Sequence, residues 1–154
     1  MPKLATLYFN QLEYTDDSVF HFPAGIPGFE DQTAFVFLKQ PHMEPLVFIQ
    51  SLRDTGLCFI AAPVFTVDPQ YRLNLAPEEI AALELPIGQA PHIGNGLLCL
   101  ALITISEGGG PTANLMAPIV VNLERRIGIQ AMQSGPLSSL RYPLLDELEA
   151  LPCS

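Results

Sequence analysis

The chain has 154 residues, enough for one domain, and 49% of them are apolar, enough for one sizeable core. Charged residues make up only 15%, below the roughly 25% of ordinary globular chains, which argues against a disordered acidic tail or a long solvated coiled coil. Fifteen prolines break up the long helices a bundle needs, and a net charge of −9 with scattered cations disfavours direct binding of nucleic acid.

In chain order, residues 4–9 (LATLYF) and 19–22 read as strands on either side of a turn at Asp16-Asp17-Ser18. Residues 33–38 (TAFVFL) carry the aromatic and β-branched content of another strand. Residues 46–50 and 57–61 flank Arg53-Asp54-Thr55-Gly56, the turn chemistry of a hairpin. Residues 76–83 predict a helix, with proline and two acids in its first turn and Ile80 and Leu83 on one face. Residues 96–106 read as one long strand, entered through Gly94-Asn95-Gly96 and left through a glycine loop tip at 108–110. Residues 119–123 and 127–132 pair around Glu124-Arg125-Arg126, and residues 144–151 are either a short terminal helix or a frayed tail. Strands at short intervals with turn signals between them predict a single all-β domain over 1–154: a small antiparallel β-barrel-like structure with one or two short helices.

The opening residues, Met1-Pro2-Lys3-Leu4-Ala5-Thr6, lack the apolar stretch of a secretory signal. The longest apolar run, 97–105, is far short of the ~20 residues of a spanning helix. Cys58, Cys99 and Cys153 are odd in number with no close pair and read as reduced thiols. A cytoplasmic protein without membrane contact is expected.

Catalytic patterns are weak. His21, His42 and His92 sit in no recognised motif, and the glycine runs lack the lysine and helix start of a phosphate cradle. The acid pairs Asp16-Asp17, Glu30-Asp31, Glu78-Glu79 and Asp146-Glu147 read as solvated faces, and the cysteines lack zinc-ligand spacing. The expectation is a protein that is not an enzyme and uses no metal or cofactor. With so few charges, apolar surface must stay exposed, and an acidic rim around it suits a basic, partly hydrophobic protein segment. Capture along a strand edge or groove is the matching recognition mode.

A series of blocks in order then carries a resemblance. Residues 22–30 (FPAGIPGFE) resemble the GIPGFE segment of the flagellar assembly factor FliW family, and residues 48–52 (FIQSL) are similar to its FxLQS strand. Residues 59–65 (FIAAPVF), followed by Asp68-Pro69-Gln70-Tyr71, resemble its next block. Residues 114–122 (NLMAPIVVN) resemble its NLxAPIVIN strand, and Gly128-Ile129-Gln130 and Arg141-Tyr142-Pro143-Leu144 follow in the expected order.

The resemblance implies a β-barrel-like fold without catalysis. It implies binding to the translational regulator CsrA, which otherwise blocks translation of flagellin mRNA, with flagellin as the competing partner that releases CsrA. Among the family-motif residues, Gly25, Pro27, Gly28 and Pro118 are read as shaping turns and strand entries. Phe29 is expected in the core with Phe48, Phe59, Leu115 and Ile119, and Gln50, Asn114 and Gln130 as bonded to main chain. For contact with CsrA, the candidates are the turn acids Asp54, Asp68, Glu78 and Glu79, with Tyr71 as an aromatic anchor. Ile129 stands where family members often carry a basic residue. A monomer is the expected state. Two other readings stay open: a flagellin chaperone without regulatory role, and a barrel that binds or hydrolyses a small molecule.

Overall fold

The central strands of this chain have two apolar faces to bury, and a ring of strands under an outer cover satisfies both. The computed structural model describes residues 3–4, 12–86, 92–94, 96–105, 110–135 and 140–144. A short ribbon of β1 (Lys3–Leu4) and β2 (Leu12–Glu13) comes first. The next strands are β3 (Val19–His21), β4 (Ala34–Lys39), β5 (Val47–Ser51) and β6 (Cys58–Pro63). Two short helices, α1 (Val64–Val67) and α2 (Pro77–Ala82), follow β6. Then come β7 (Leu97–Thr104), β8 (Thr112–Asn122), β9 (Ile127–Gln130) and β10 (Tyr142–Pro143).

Strands β3 to β9 each pair with the next, antiparallel, and β9 returns to β3, so the sheet closes as a barrel of 7 strands. The barrel agrees with the expected all-β class. Its closing pair differs, because β3 and β9 run parallel and meet at the single bridge His21 to Ile127. β10 is an appendage on the outer edge of β8, at Ala113 and Thr112. The hairpin around Asp54 and the helix after Ala76 lie where turn and cap chemistry placed them. α1 was not anticipated, and β8 begins at Thr112, well before the expected 119. Apart from Leu4, Gly110 and Leu144, the expected strand at 4–9, the glycine tip at 108–110 and the terminal segment 144–151 lie outside the described residues.

The barrel interior is filled by Phe22, Phe35, Val47, Ile49, Ala61, Leu100, Ile119 and Val121. Five phenylalanine rings run through it as a chain, and a sixth continues it outward. Phe20 stacks on Phe37 at 4.6 Å, Phe37 meets Phe22 at 6.3 Å, and Phe22 meets Phe35 edge-on at 5.3 Å. Phe35 then meets Phe59 at 6.2 Å, and Phe59 meets Phe29 edge-on at 5.4 Å. Offset and edge-to-face contacts at these spacings are the favoured aromatic geometries. On the outside, Cys99, Ala101, Val120 and Leu115 pack with Val64 and Leu83 from the segment 64–86. Because β7 is covered on both faces, its sequence LLCLALIT is an almost unbroken apolar run rather than an alternation.

The closing seam has its own packing. The Phe22 ring occupies the space where a side chain on Gly128 would begin. Next to it, Arg126 takes a left-handed backbone (φ 55°), its carbonyl accepts from His21 N–H at 2.8 Å, and its guanidinium donates to the Asp16 carbonyl at 2.6 Å. Gly128→Ala is therefore expected to push Phe22 and β9 apart and to destabilise the fold by about 1–3 kcal/mol, read from urea unfolding. Gly135→Ala, at an open position, is the matched control and is expected to stay within about 0.5 kcal/mol of the parent.

Candidate interaction surface

Two family motifs build the main chain on which the candidate residues stand. The first is Gly25–Glu30. Phe29 N–H donates to the Ile26 carbonyl at 2.6 Å, with Pro27 and Gly28 between them and Gly28 at φ 90°. Proline at the second position and a positive φ at the third fit a type II turn. Gly25 also has φ 69°, and a Cβ there would stand 2.6 Å from the Glu30 Cα, so no other residue fits. Ile26 is buried at 2% exposure and plugs the mouth of the barrel, whereas Phe29 remains 39% exposed at its rim. Phe29 is thus a correction to the expected core: it covers the Phe59 ring with one part and faces solvent with the rest.

Gln50 organises the other side of this mouth. It is fully buried, and its Nε2 lies 3.0 Å from the Ser51 carbonyl, 3.1 Å from that of Leu57, and 3.4 Å from those of Asp54 and Thr55. One amide therefore gathers the whole 51–57 turn. Its Oε1 is buried without a hydrogen-bond partner among the described residues.

The second motif is Asn114–Pro118 in β8. Leu102 pairs with Asn114 and Leu100 with Ile119, so Leu115, Met116, Ala117 and Pro118 bulge opposite the single residue Ala101. A bulge this wide strands backbone groups, and two N–H groups and four carbonyls find partners outside the β7 ladder. Asn114 Oδ1 accepts from the N–H groups of Met116 (2.9 Å) and Ala117 (3.2 Å), and Pro118 has no N–H to satisfy. The Leu115 carbonyl accepts from the Tyr71 hydroxyl at 2.6 Å, and that of Met116 from Gln133 N–H at 2.7 Å. The Ala117 carbonyl accepts from Gln130 Nε2 at 3.0 Å, and that of Pro118 from Ala131 N–H at 2.9 Å.

The candidate acids fall into two places. Asp54 lies in the β5–β6 turn, where its Oδ1 accepts from Gly56 N–H at 3.0 Å. Asp68, Tyr71, Glu78 and Glu79 all belong to the segment 64–86, which follows β6 and packs over the outer face of β6–β8. The first place precedes β6 and the second follows it, and the five steps from Cys58 to Pro63 at ~3.3 Å each span about 16 Å. Asp68 Oδ1 accepts from Gln70 N–H at 2.9 Å and shapes a turn. Glu79 caps α2 through Ala76 N–H at 2.8 Å and reaches across to Met132 N–H at 3.0 Å. Glu78 is exposed, and among the described residues nothing bonds its carboxylate.

Residues that sequence reasoning passed over complete this surface. Gln133 clips the cover to the barrel by pairing both ways with Asn74, at 2.7 and 2.9 Å. Asn122 Nδ2 holds the end of α2 through the Leu83 carbonyl at 2.8 Å. Met132, 66% exposed, and Phe65, 45% exposed, add apolar area beside the acids. An exposed Met or Phe leaves no local pattern, so only its neighbours in space reveal it. The three histidines are exposed, and among the described residues no three His, Cys, Asp or Glu groups stand close enough to hold a metal ion.

Comparison with known proteins agrees with the motifs. A family model described as "FliW protein" matches residues 3–144. The flagellar assembly factor FliW of Desulfitobacterium hafniense is 34% identical over 149 residues, covering 96% of this chain and 94% of the relative. That of Syntrophomonas wolfei is 27% identical over 149 residues, covering 96% and 92%. A crystal structure of the flagellar assembly factor FliW superposes with a TM-score of 0.79 at 27% identity, covering 95% of this chain and 99% of the other.

Burial, then the neighbouring Cys99 and Asp68, push the Tyr71 hydroxyl well above its ordinary value. Burial likewise lifts the thiols of Cys58 to about 11 and Cys99 to about 12. Folding thus holds these protons, and the stability they contribute is present below the unfolded-state value and lost as pH rises past it. Tyr71→Phe is expected to cost about 1–2 kcal/mol near neutral pH by orphaning the Leu115 carbonyl. Above about pH 10 its unfolding free energy should fall less steeply than the parent's, though the two thiols keep some slope.

Proposed function

This chain belongs to the FliW family of flagellar assembly factors, a family of non-enzymatic proteins, and from that premise we propose that it acts by binding CsrA and restraining its repression of flagellin mRNA. Flagellin is the competing partner that frees CsrA, which places the protein in the cytoplasm where translation occurs. The observation that carries this reading is the family match across nearly the whole chain, residues 3–144. Charge supports it: an acidic chain of −9 attracts a basic RNA-binding protein over long range and speeds encounter. Among the described residues no helix is long and apolar enough to cross a membrane.

The contact face we assign is the cover over β6–β8, which carries exposed Glu78, half-buried Asp68 and exposed Phe65, with exposed Met132 bonded to it through the Glu79 carboxylate. Apolar area together with acids gives both a desolvated contact and selection against acidic competitors. Tyr71 and Glu79 serve this face by fixing its backbone. Restraint requires that CsrA bind this protein more tightly when free of RNA than when loaded with it, whether the two surfaces overlap or communicate.

Titration calorimetry with purified CsrA tests the reading. A complex is expected that weakens as salt rises. Glu78→Lys, at an exposed and unbonded position, should weaken it about tenfold, or roughly 1.4 kcal/mol, while the charge reversal in the first turn of α2 lowers the melting temperature by no more than about 3 °C. No complex at low ionic strength, or flagellin binding that leaves CsrA on its mRNA, would overturn the proposal.

A further inference from the structure

We infer that the barrel mouth around Phe29 is a second docking surface, one that takes an arginine-bearing segment of a partner protein. It lies at the start of β6, whereas the segment 64–86 leaves from the other end of that strand, about 16 Å along it, and it is independent of the contact face assigned above. The anchor is the Phe29 ring. It is 39% exposed although its backbone is fixed from both sides, by a type II turn with a 2.6 Å hydrogen bond and by Gly25, which leaves no room for a side chain. Its inner edge rests on Phe59, the outermost ring of the interior aromatic chain. An aromatic group held this firmly loses little entropy when a partner covers it.

The surroundings select the partner's chemistry. Glu30, Asp31 and Asp54 are all exposed around this mouth. The Arg53 guanidinium bridges the two loops by donating to the Asp31 main-chain carbonyl at 3.2 Å, and the Glu30 and Asp54 carboxylates each accept from one backbone N–H, of Gly28 and Gly56, which leaves their other oxygens open. The chain's own arginine thus shows that a planar guanidinium fits between segment 22–33 and the β5–β6 turn. An arginine from a partner would stack on the open part of Phe29 and pair with carboxylates at the rim, combining the two interactions at which guanidinium surpasses ammonium. A purely apolar segment would bury those carboxylates unpaired, and a nucleic-acid strand would set phosphates against them.

Two synthetic pentapeptides test this, acetyl-Gly-Arg-Gly-Arg-Gly-amide and its lysine analogue, titrated at low ionic strength into the nitrogen-15-labelled full chain and followed by amide shifts. The arginine peptide is expected to give saturable shifts at residues 28–31 and 54–56, with about threefold higher affinity than the lysine peptide. Phe29→Leu keeps the apolar cover on Phe59 but removes the π face, so it should erase the difference between the peptides. Asp31→Asn, whose side chain bonds nothing among the described residues, should weaken both without affecting the fold. Equal affinity for the two peptides, shifts centred on segment 64–86, or an arginine preference that survives Phe29→Leu would each overturn the inference. Phe29→Leu is also expected to leave CsrA affinity unchanged, so failure here and failure of the proposed function are read separately.

Discussion

The four-residue bulge in β8 is the constraint around which the other elements are arranged. β8 has to pair with β7 along one edge and with both β9 and β10 along the other. A regular ladder cannot turn sharply enough to serve all three, and a bulge bends a strand and increases its twist. The price is a set of buried peptide groups with no ladder partner. Asn114, Gln130 and Tyr71 supply three of those partners from their side chains, and the main chain of Ala131 and Gln133 supplies the others. Removing any one leaves a backbone group unpaired in an apolar setting, which costs more than an ordinary hydrogen bond returns.

That arrangement makes the outer cover part of the barrel. Tyr71 and Gln133 tie the segment after α1 to the bulge, Glu79 ties α2 to Met132, and Asn122 ties the end of α2 to β8. The same bonds decide which side chains face outward. Met132 is exposed because its N–H is held against the Glu79 carboxylate while Ala131, its neighbour, is fully buried. The acids that shape this face therefore also charge it.

The mouth of the barrel follows a different logic. There the aromatic chain from Phe20 to Phe59 fills the interior, and Ile26 and Phe29 close it. Gln50 gathers the facing turn on a single amide nitrogen. Neither end of the barrel needs a catalytic group to explain its residues. The carboxylates of Asp54, Asp68 and Glu79 all satisfy backbone donors, so these three acids shape the local main chain as well as adding to the net charge of −9.

By itself, the sequence determined the local elements and the family. Turn chemistry at Asp54–Gly56, the capped start of α2 and the strand segments of the barrel depend on neighbours within a few residues, which is where propensity and hydrophobic period carry information. The motif blocks determined the FliW family in the same way, since each is a contiguous string. Tertiary structure alone decided that β3 closes on β9 in parallel, that β8 starts at Thr112, and that Phe29 lies at the rim. Closure depends on Phe22 meeting Gly128, residues more than a hundred positions apart, and no local period reports such a contact. A strand proline lacks its ladder donor, so Pro118 inside β8 has to sit where none is needed. The bulge supplies that place, since the missing N–H falls where no ladder partner exists.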